Sequence, residues 1–220
     1  MFVKPGPSPQ DKTLVLLSGG MDSAVALHLA KANTCVKLYT LSFDYGQTHR
    51  IELDSAKRLA AHYKTNHRVF RVNLSALKAP MHAGFEGVPD FTVAPTWKPN
   101  RNAIFLTIAG AFAWKLGCTV IVGGWHATDQ PGYPDCTPHF HQSMETTLQF
   151  GLAMPIAVWA PLLWTTKVGI WKLGRELGVP LETTWSCYFP TPEGQPCLAC
   201  DACKRREEAR SYYARNKAVK

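Results

Sequence analysis

The chain has 220 residues, which suits one domain, or one domain with a small appendage. It is 46% hydrophobic and 18% charged with a formal net charge of +8, which excludes wholesale disorder and suits an anionic partner such as nucleic acid, a membrane surface or a phosphorylated small molecule. The longest apolar run, Ala103–Trp114, is too short for a membrane span, and the first twelve residues lack a signal-peptide core, so a cytoplasmic protein with no membrane association is expected.

After a Pro/Gly-rich lead-in, Thr13–Leu17 reads as a buried parallel strand and Asp22–Lys31 as a helix packed on a sheet. A second strand over Val36–Phe43, a charged amphipathic helix over Gln47–Tyr63 and a third strand over His67–Leu74 follow. Residues 75–99 hold four prolines and three aromatics (Phe85, Phe91, Trp97) without periodicity, the pattern of a lid or binding loop. Asn100–Leu116 is an apolar helix, Thr119–Gly123 a fourth strand, and 124–138 a Gly/Pro-rich loop. His139–Phe150 reads as a helix, Ile156–Trp159 as a fifth strand, and Thr166–Gly178 as a helix closed by Gly178-Val179-Pro180. The pattern is α/β, a doubly wound parallel sheet of about five strands. It divides into an α/β domain over 1–186 and a cysteine-rich tail with a basic helix over 187–220. The loops 18–23, 43–50, 75–99 and 124–138 each follow a strand, so they converge on the sheet edge where such folds bind ligands.

Ser18-Gly19-Gly20-Met21-Asp22-Ser23 lies between strand and helix. Its glycines allow close backbone approach, and the helix-start N–H groups with the Ser18 and Ser23 hydroxyls form an anion cradle. A tight strand-to-helix turn is the plainer reading of Gly-Gly. Neither GxxxxGK[ST] nor GxGxxG occurs. The loop resembles the SGGxDS pyrophosphate loop of the ATP pyrophosphatases, whose members cleave ATP between the α and β phosphates and adenylate a substrate oxygen. Arg101-Asn102 opens a helix, where a cation is electrostatically misplaced unless an anionic ligand requires it.

Further blocks occur in order: FDYGQ (43–47), PNRN (99–102), D-x-x-GYPDC (129–136), PL-x4-K (161–167), LGVPL-x-x-TWSCY (177–188) and C-x-x-C-x-x-C (197–203). As a set, from about Thr13 to Arg210, the chain resembles the 7-cyano-7-deazaguanine synthase family of the queuosine pathway. That resemblance implies an adenine nucleotide alpha hydrolase-like fold and a ligase forming a carbon–nitrogen bond. It further implies that ATP adenylates 7-carboxy-7-deazaguanine, ammonia displaces AMP to give the amide, and a second adenylation gives the nitrile. Carried over residue by residue, ATP is expected at Leu17, Ser18, Gly19, Gly20, Met21, Asp22, Ser23, Ala24, Val25, Ala26, Leu27, Phe43 and Arg101, with Asp22 as a Mg²⁺ ligand. Ser18, Asp22, Ser23 and Lys167 are the expected catalytic group. Tyr45, Gln47, Asn102, Asp129, Tyr133 and Asp135 are expected on the substrate side, with Asp135 on the N–H edge of the deazapurine. The family also implies a homodimer.

Cys187, Cys197, Cys200 and Cys203 offer four soft ligands for structural Zn²⁺. The family carries zinc on the matching cysteines, and an iron–sulfur cluster or free thiols are the alternatives. Cys35, Cys118 and Cys136 read as packing residues, Cys136 with a place near the site. Three positions depart from the family pattern: His126 stands where Asn is common, Thr137 where Arg is common, and Leu198 where Gly is common. The first two leave open a relative that stops at the amide or conjugates the deazapurine to another acceptor. A tRNA-modifying ATP pyrophosphatase and a non-catalytic zinc module that binds nucleic acid are further alternatives. No separate RNA-binding domain fits in 220 residues, and most of the excess positive charge lies in the last 17, so nucleic acid is not the expected partner.

Overall fold

The computed structural model describes residues 6–34, 36–47, 50–77, 94 and 97–217. In chain order it contains β1 (Lys12–Leu16), α1 (Met21–Asn33), β2 (Lys37–Asp44), α2 (Ile51–His62) and β3 (Asn66–Arg71). Then come α3 (Arg101–Leu116), β4 (Val120–Val122), α4 (Pro138–Leu152), β5 (Ala157–Trp159), α5 (Lys167–Glu176) and α6 (Asp201–Lys217). All five strands are parallel, in the order β3-β2-β1-β4-β5, so the expected doubly wound α/β sheet is present.

The central strands are apolar on both faces because helices cover both. Successive side chains alternate across the sheet. Val15, Val120 and Val122 pack against α1, α2, α5 and Ala209 of α6, whereas Leu14, Ile121 and Val158 pack against α3 and α4. This division follows from handedness. The connections β1 to β2 to β3 step one way across the sheet and β3 to β4 to β5 step the other, and both sets can be right-handed only with their helices on opposite faces. The chain therefore reverses direction between β1 and β4, and a crevice opens there.

The elements match the expected ones closely, with one shifted start. The second helix begins at Ile51 rather than Gln47, because Gly46 takes a left-handed φ of 81° and Gln47 folds back on the strand end. The lid expected over 75–99 lies mostly outside the described residues, as do Cys35 and His49. The tail folds onto the sheet domain with Ala209 of α6 buried in the core and with Arg206 bonded to the loop before the cysteines. Arg206 donates to Thr184 Oγ1 (2.7 Å) and the Leu181 carbonyl (2.6 Å), with its guanidinium 5.5 Å from the centre of the Trp171 ring. Among the described residues no helix is long and apolar enough to cross a membrane.

Candidate active site

A cavity of about 300 Å³ opens at the β1/β4 crevice, large enough for a small-molecule ligand. Its floor is the loop after β1, with Leu17, Ser18, Gly20, Asp22 and Ser23 on the lining. Hydrogen bonds pin this loop. The Leu17 carbonyl accepts from Ser42 Oγ, the Gly19 carbonyl accepts from Trp185 N (2.8 Å) and Ser55 Oγ (3.0 Å), and the two serine hydroxyls meet at 3.0 Å. Gly19 has φ 92°, and a Cβ there would stand 2.0 Å from the Glu52 carbonyl oxygen. Glycine is thus required at Gly19 by the approach of α2. No side chain caps α1 at Gly20, which leaves first-turn N–H groups for an anion.

Asp22 and Lys167 meet across the crevice from the starts of α1 and α5. Lys167 Nζ lies 2.8 and 2.6 Å from the two Asp22 oxygens. Behind them, His126 is 2% exposed, with Nε2 3.2 Å from Asp129 Oδ2 and 3.7 Å from Asp22 Oδ2. Burial alone would raise the Asp22 carboxyl, but the Lys167 charge and the contact with His126 outweigh it and hold Asp22 well below the usual carboxylate range. Asp129 Oδ1 faces Arg205 of α6 at 3.6 Å.

The opposite wall is aromatic. Phe43 of β2 stacks on Phe105 of α3 with centroids 4.1 Å apart and planes within 3°. Tyr45 lies beside them, with the Arg101 guanidinium 5.7 Å from its ring centre. Glu52, in the first turn of α2, also lines the cavity. Gln47 orients it: its side-chain oxygen accepts from Tyr45 N (2.8 Å) and its nitrogen donates to Glu52 Oε1 (3.1 Å). Burial pushes the Glu52 carboxyl up to about 7, against the opposing pull of Arg101 and Gln47. Burial, and next the Glu52 charge, raise Tyr45. Cys136 also lines this wall, and burial keeps its thiol protonated by pushing it far up.

The family model described as Queuosine biosynthesis protein QueC matches residues 12–214. The chain belongs to the QueC family. Its relatives include proteins named 7-cyano-7-deazaguanine synthase. One from Aquifex aeolicus is 41% identical over 217 residues, covering 90% of this chain and 96% of that one. One from Thermoplasma acidophilum is 38% identical over 207 residues, covering 89% and 85%. Among solved structures, NMN synthetase from Francisella tularensis aligns over 92% of this chain and 78% of that one, with TM-score 0.52 and 17% identity, a likeness of fold.

The QueC-family cavity gathers Leu17, Ser18, Gly20, Asp22, Ser23, Phe43, Tyr45, Arg101, Asn102, Asp129, Tyr133 and Lys167 from the sequence-derived set. It does not gather the others. Met21, Ala24, Val25, Ala26 and Leu27 are fully buried in the core beneath the sheet, where α1 turns them away from the cavity. Gln47 braces Glu52 from outside the lining. Asp135, expected at the deazapurine edge, does not line the cavity. Asp135 is 4% exposed, and its oxygens accept from Asn102 N (3.0 Å) and Trp97 Nε1 (3.3 Å). It satisfies an orphan N–H at the start of α3, which explains an acid beside a helix N-terminus. Glu52, Tyr188 and Arg205 line the cavity without having been singled out. Glu52 did carry one faint signal, a position five residues past Gln47 on a helix start beside the second loop.

The four tail cysteines come together with every Sγ within 4.8 Å of the others. Cys197 N points at Cys187 Sγ (3.2 Å) and Cys200 N at Cys197 Sγ (3.4 Å), the N–H donors expected around thiolates. The donor set suits a soft metal. Leu198, inside the cluster loop, takes a left-handed φ of 58° with its side chain 77% exposed.

Proposed function

We propose that this chain is an ATP-dependent 7-cyano-7-deazaguanine synthase, a ligase that converts 7-carboxy-7-deazaguanine and ammonia to the nitrile. The observation that carries the reading is the match of nearly the whole chain, residues 12–214, to the family, with relatives of that name covered for most of their length. The cavity chemistry supports it. A carboxylate resists ammonia because it is anionic and its oxygen leaves poorly, and adenylation removes both faults. Repeating the adenylation on the amide oxygen makes that oxygen a leaving group too, and its departure leaves the nitrile. Positioning and charge stabilisation are the protein's part, so no enzyme nucleophile is needed.

In this reading Ser18, Gly19, Gly20 and Ser23 with the start of α1 hold phosphate. Lys167, resting on Asp22, moves its charge onto phosphate as ATP enters, and Arg101 adds a second cation. Asp22, released by Lys167, and Asp129 would hold Mg²⁺, which neutralises charge on the phosphates. Tyr45, Asn102 and Tyr133 border the deazapurine. The cysteines hold Zn²⁺: a tetrahedron of Zn–S bonds near 2.3 Å sets sulfurs ~3.8 Å apart, in keeping with a cluster inside 4.8 Å. Reduced thiols and ATP use favour the cytoplasm, and the family resemblance favours a homodimer.

The test is incubation of purified protein with the carboxy-deazaguanine, ATP and ammonium, with products read by mass. Nitrile with two AMP per turnover is expected. Accumulated amide without nitrile would overturn the assignment. Asp22→Ala should abolish AMP formation while zinc stays bound, and stoichiometric iron in anaerobically purified protein would overturn the zinc reading.

A further inference from the structure

Resting on the synthase reading, the cavity must distinguish a deazaguanine from the adenine of ATP. Both are planar and both suit aromatic walls such as Phe43, Phe105 and Tyr45. Their edges differ. The deazaguanine edge presents two adjacent donors, the ring N1–H and the exocyclic 2-amino group. The adenine edge presents a donor beside an acceptor, which a carboxylate would repel.

Three carboxylates line the cavity: Asp22, Glu52 and Asp129. Both Asp22 oxygens are on Lys167. Asp129 divides its oxygens between His126 and Arg205. Glu52 differs. Oε1 accepts one hydrogen bond from Gln47, and Oε2 accepts none from any described residue. An ionised carboxylate accepts at about four lone-pair positions, so Oε2 and the second lone pair of Oε1 remain for a pair of parallel donors. Gln47 and the close backbone contact of Glu52 with Gly19 fix where this carboxylate stands.

We propose that Glu52 is the specificity-determining residue for the base, accepting the N1–H and 2-amino donors of the deazaguanine, with Gln47 as its positioning residue. This takes over the part first expected of Asp135, which is buried off the cavity lining with a donor on each oxygen. Burial holds the free enzyme's Glu52 near 7, and two donors arriving together favour its ionised form, so base binding and deprotonation reinforce each other.

The experiment compares 7-carboxy-7-deazaguanine with its analogue lacking the 2-amino group, on wild type and Glu52→Gln, by calorimetric binding and by turnover. Wild type should favour the amino substrate by roughly ten- to hundredfold, as one bidentate pair allows. In Glu52→Gln the preference should shrink to less than about threefold, because the amide turns one N–H toward the donor pair. An undiminished preference in a folded Glu52→Gln protein that still forms nitrile would overturn the assignment and leave the synthase reading standing. Wild type that neither binds nor converts either base would overturn both. Gln47→Ala gives a second variant: it should weaken the preference partially, and full retention would count against Gln47 as the positioning residue.

Discussion

Glu52→Gln should stabilise the folded chain, and only above a definite pH. The ordinary Glu52 carboxyl titrates near 4.5, and burial in the cavity wall moves it to about 7. The folded state therefore holds its proton more tightly than the unfolded state. Between pH 4.5 and about 7, unfolding releases that proton, so stability falls as pH rises through this window. Below the window the group contributes nothing, and above it the full penalty is present. At ~1.4 kcal/mol per pH unit, the penalty is about 3 kcal/mol. Glutamine carries no such penalty and keeps the side-chain volume. Among the described residues, the groups facing Glu52 are Arg101 from α3, with Tyr45 and Gln47 from the loop after β2. None of the three changes charge in this pH range in an ordinary environment, so the slope belongs to Glu52. Urea unfolding of both proteins across the window, in reducing buffer, measures it. Wild type should lose stability relative to Glu52→Gln as pH rises, then run parallel to it above about pH 7. Parallel curves throughout would refute both the burial of this charge and the reasoning built on it.

Gly19→Ala should cost about 2–4 kcal/mol, because its Cβ meets the Glu52 carbonyl at 2.0 Å on a left-handed backbone. Gly20→Ala, with nearest atoms at 3.3 and 3.5 Å, should cost less than about 1 kcal/mol, and equal losses in thermal unfolding would contradict the geometry. Leu198→Gly should raise the melting temperature by roughly 1–3 °C, since a leucine at φ 58° gives way to a residue that accepts that conformation; a lower melting temperature would show that the Leu198 side chain contributes packing. Lys167→Met should cost about 2–4 kcal/mol by leaving Asp22 with only the longer contact to His126. Adding Asp22→Asn should recover part of that stability but none of the ATP turnover, and additive losses would argue against a coupled pair.

Local chemistry explains what could be read from the chain. A strand buried on both faces must be apolar throughout, so β1 and β4 stand out as short hydrophobic runs. The glycines after β1 and the alternation of strand and helix announce a doubly wound sheet. Ser18–Ser23 and Lys167 were legible because each belongs to a compact block whose residue types match a known chemistry. Along α1 the same block pattern extends the expected ATP set to Leu27, but a helix turns its side chains every 100° or so, and those of Ala24 to Leu27 face the core.

By itself the sequence determined the fold class, the family, the glycine loop Ser18–Ser23 that lines the cavity and the four-cysteine set, because each depends on neighbours or on a pattern carried within a few residues. Tertiary structure decided which carboxylate is available. Asp135 is consumed by Asn102 and Trp97, partners 33 and 38 positions away. Asp129 is engaged by His126 nearby and by Arg205 from the far end of the chain, and Asp22 by Lys167, 145 positions away. Among the described residues, Glu52 is left with a spare oxygen on an aromatic wall. Hydrogen-bond capacity is finite, and which acceptors remain unused depends on every segment that folds against the cavity.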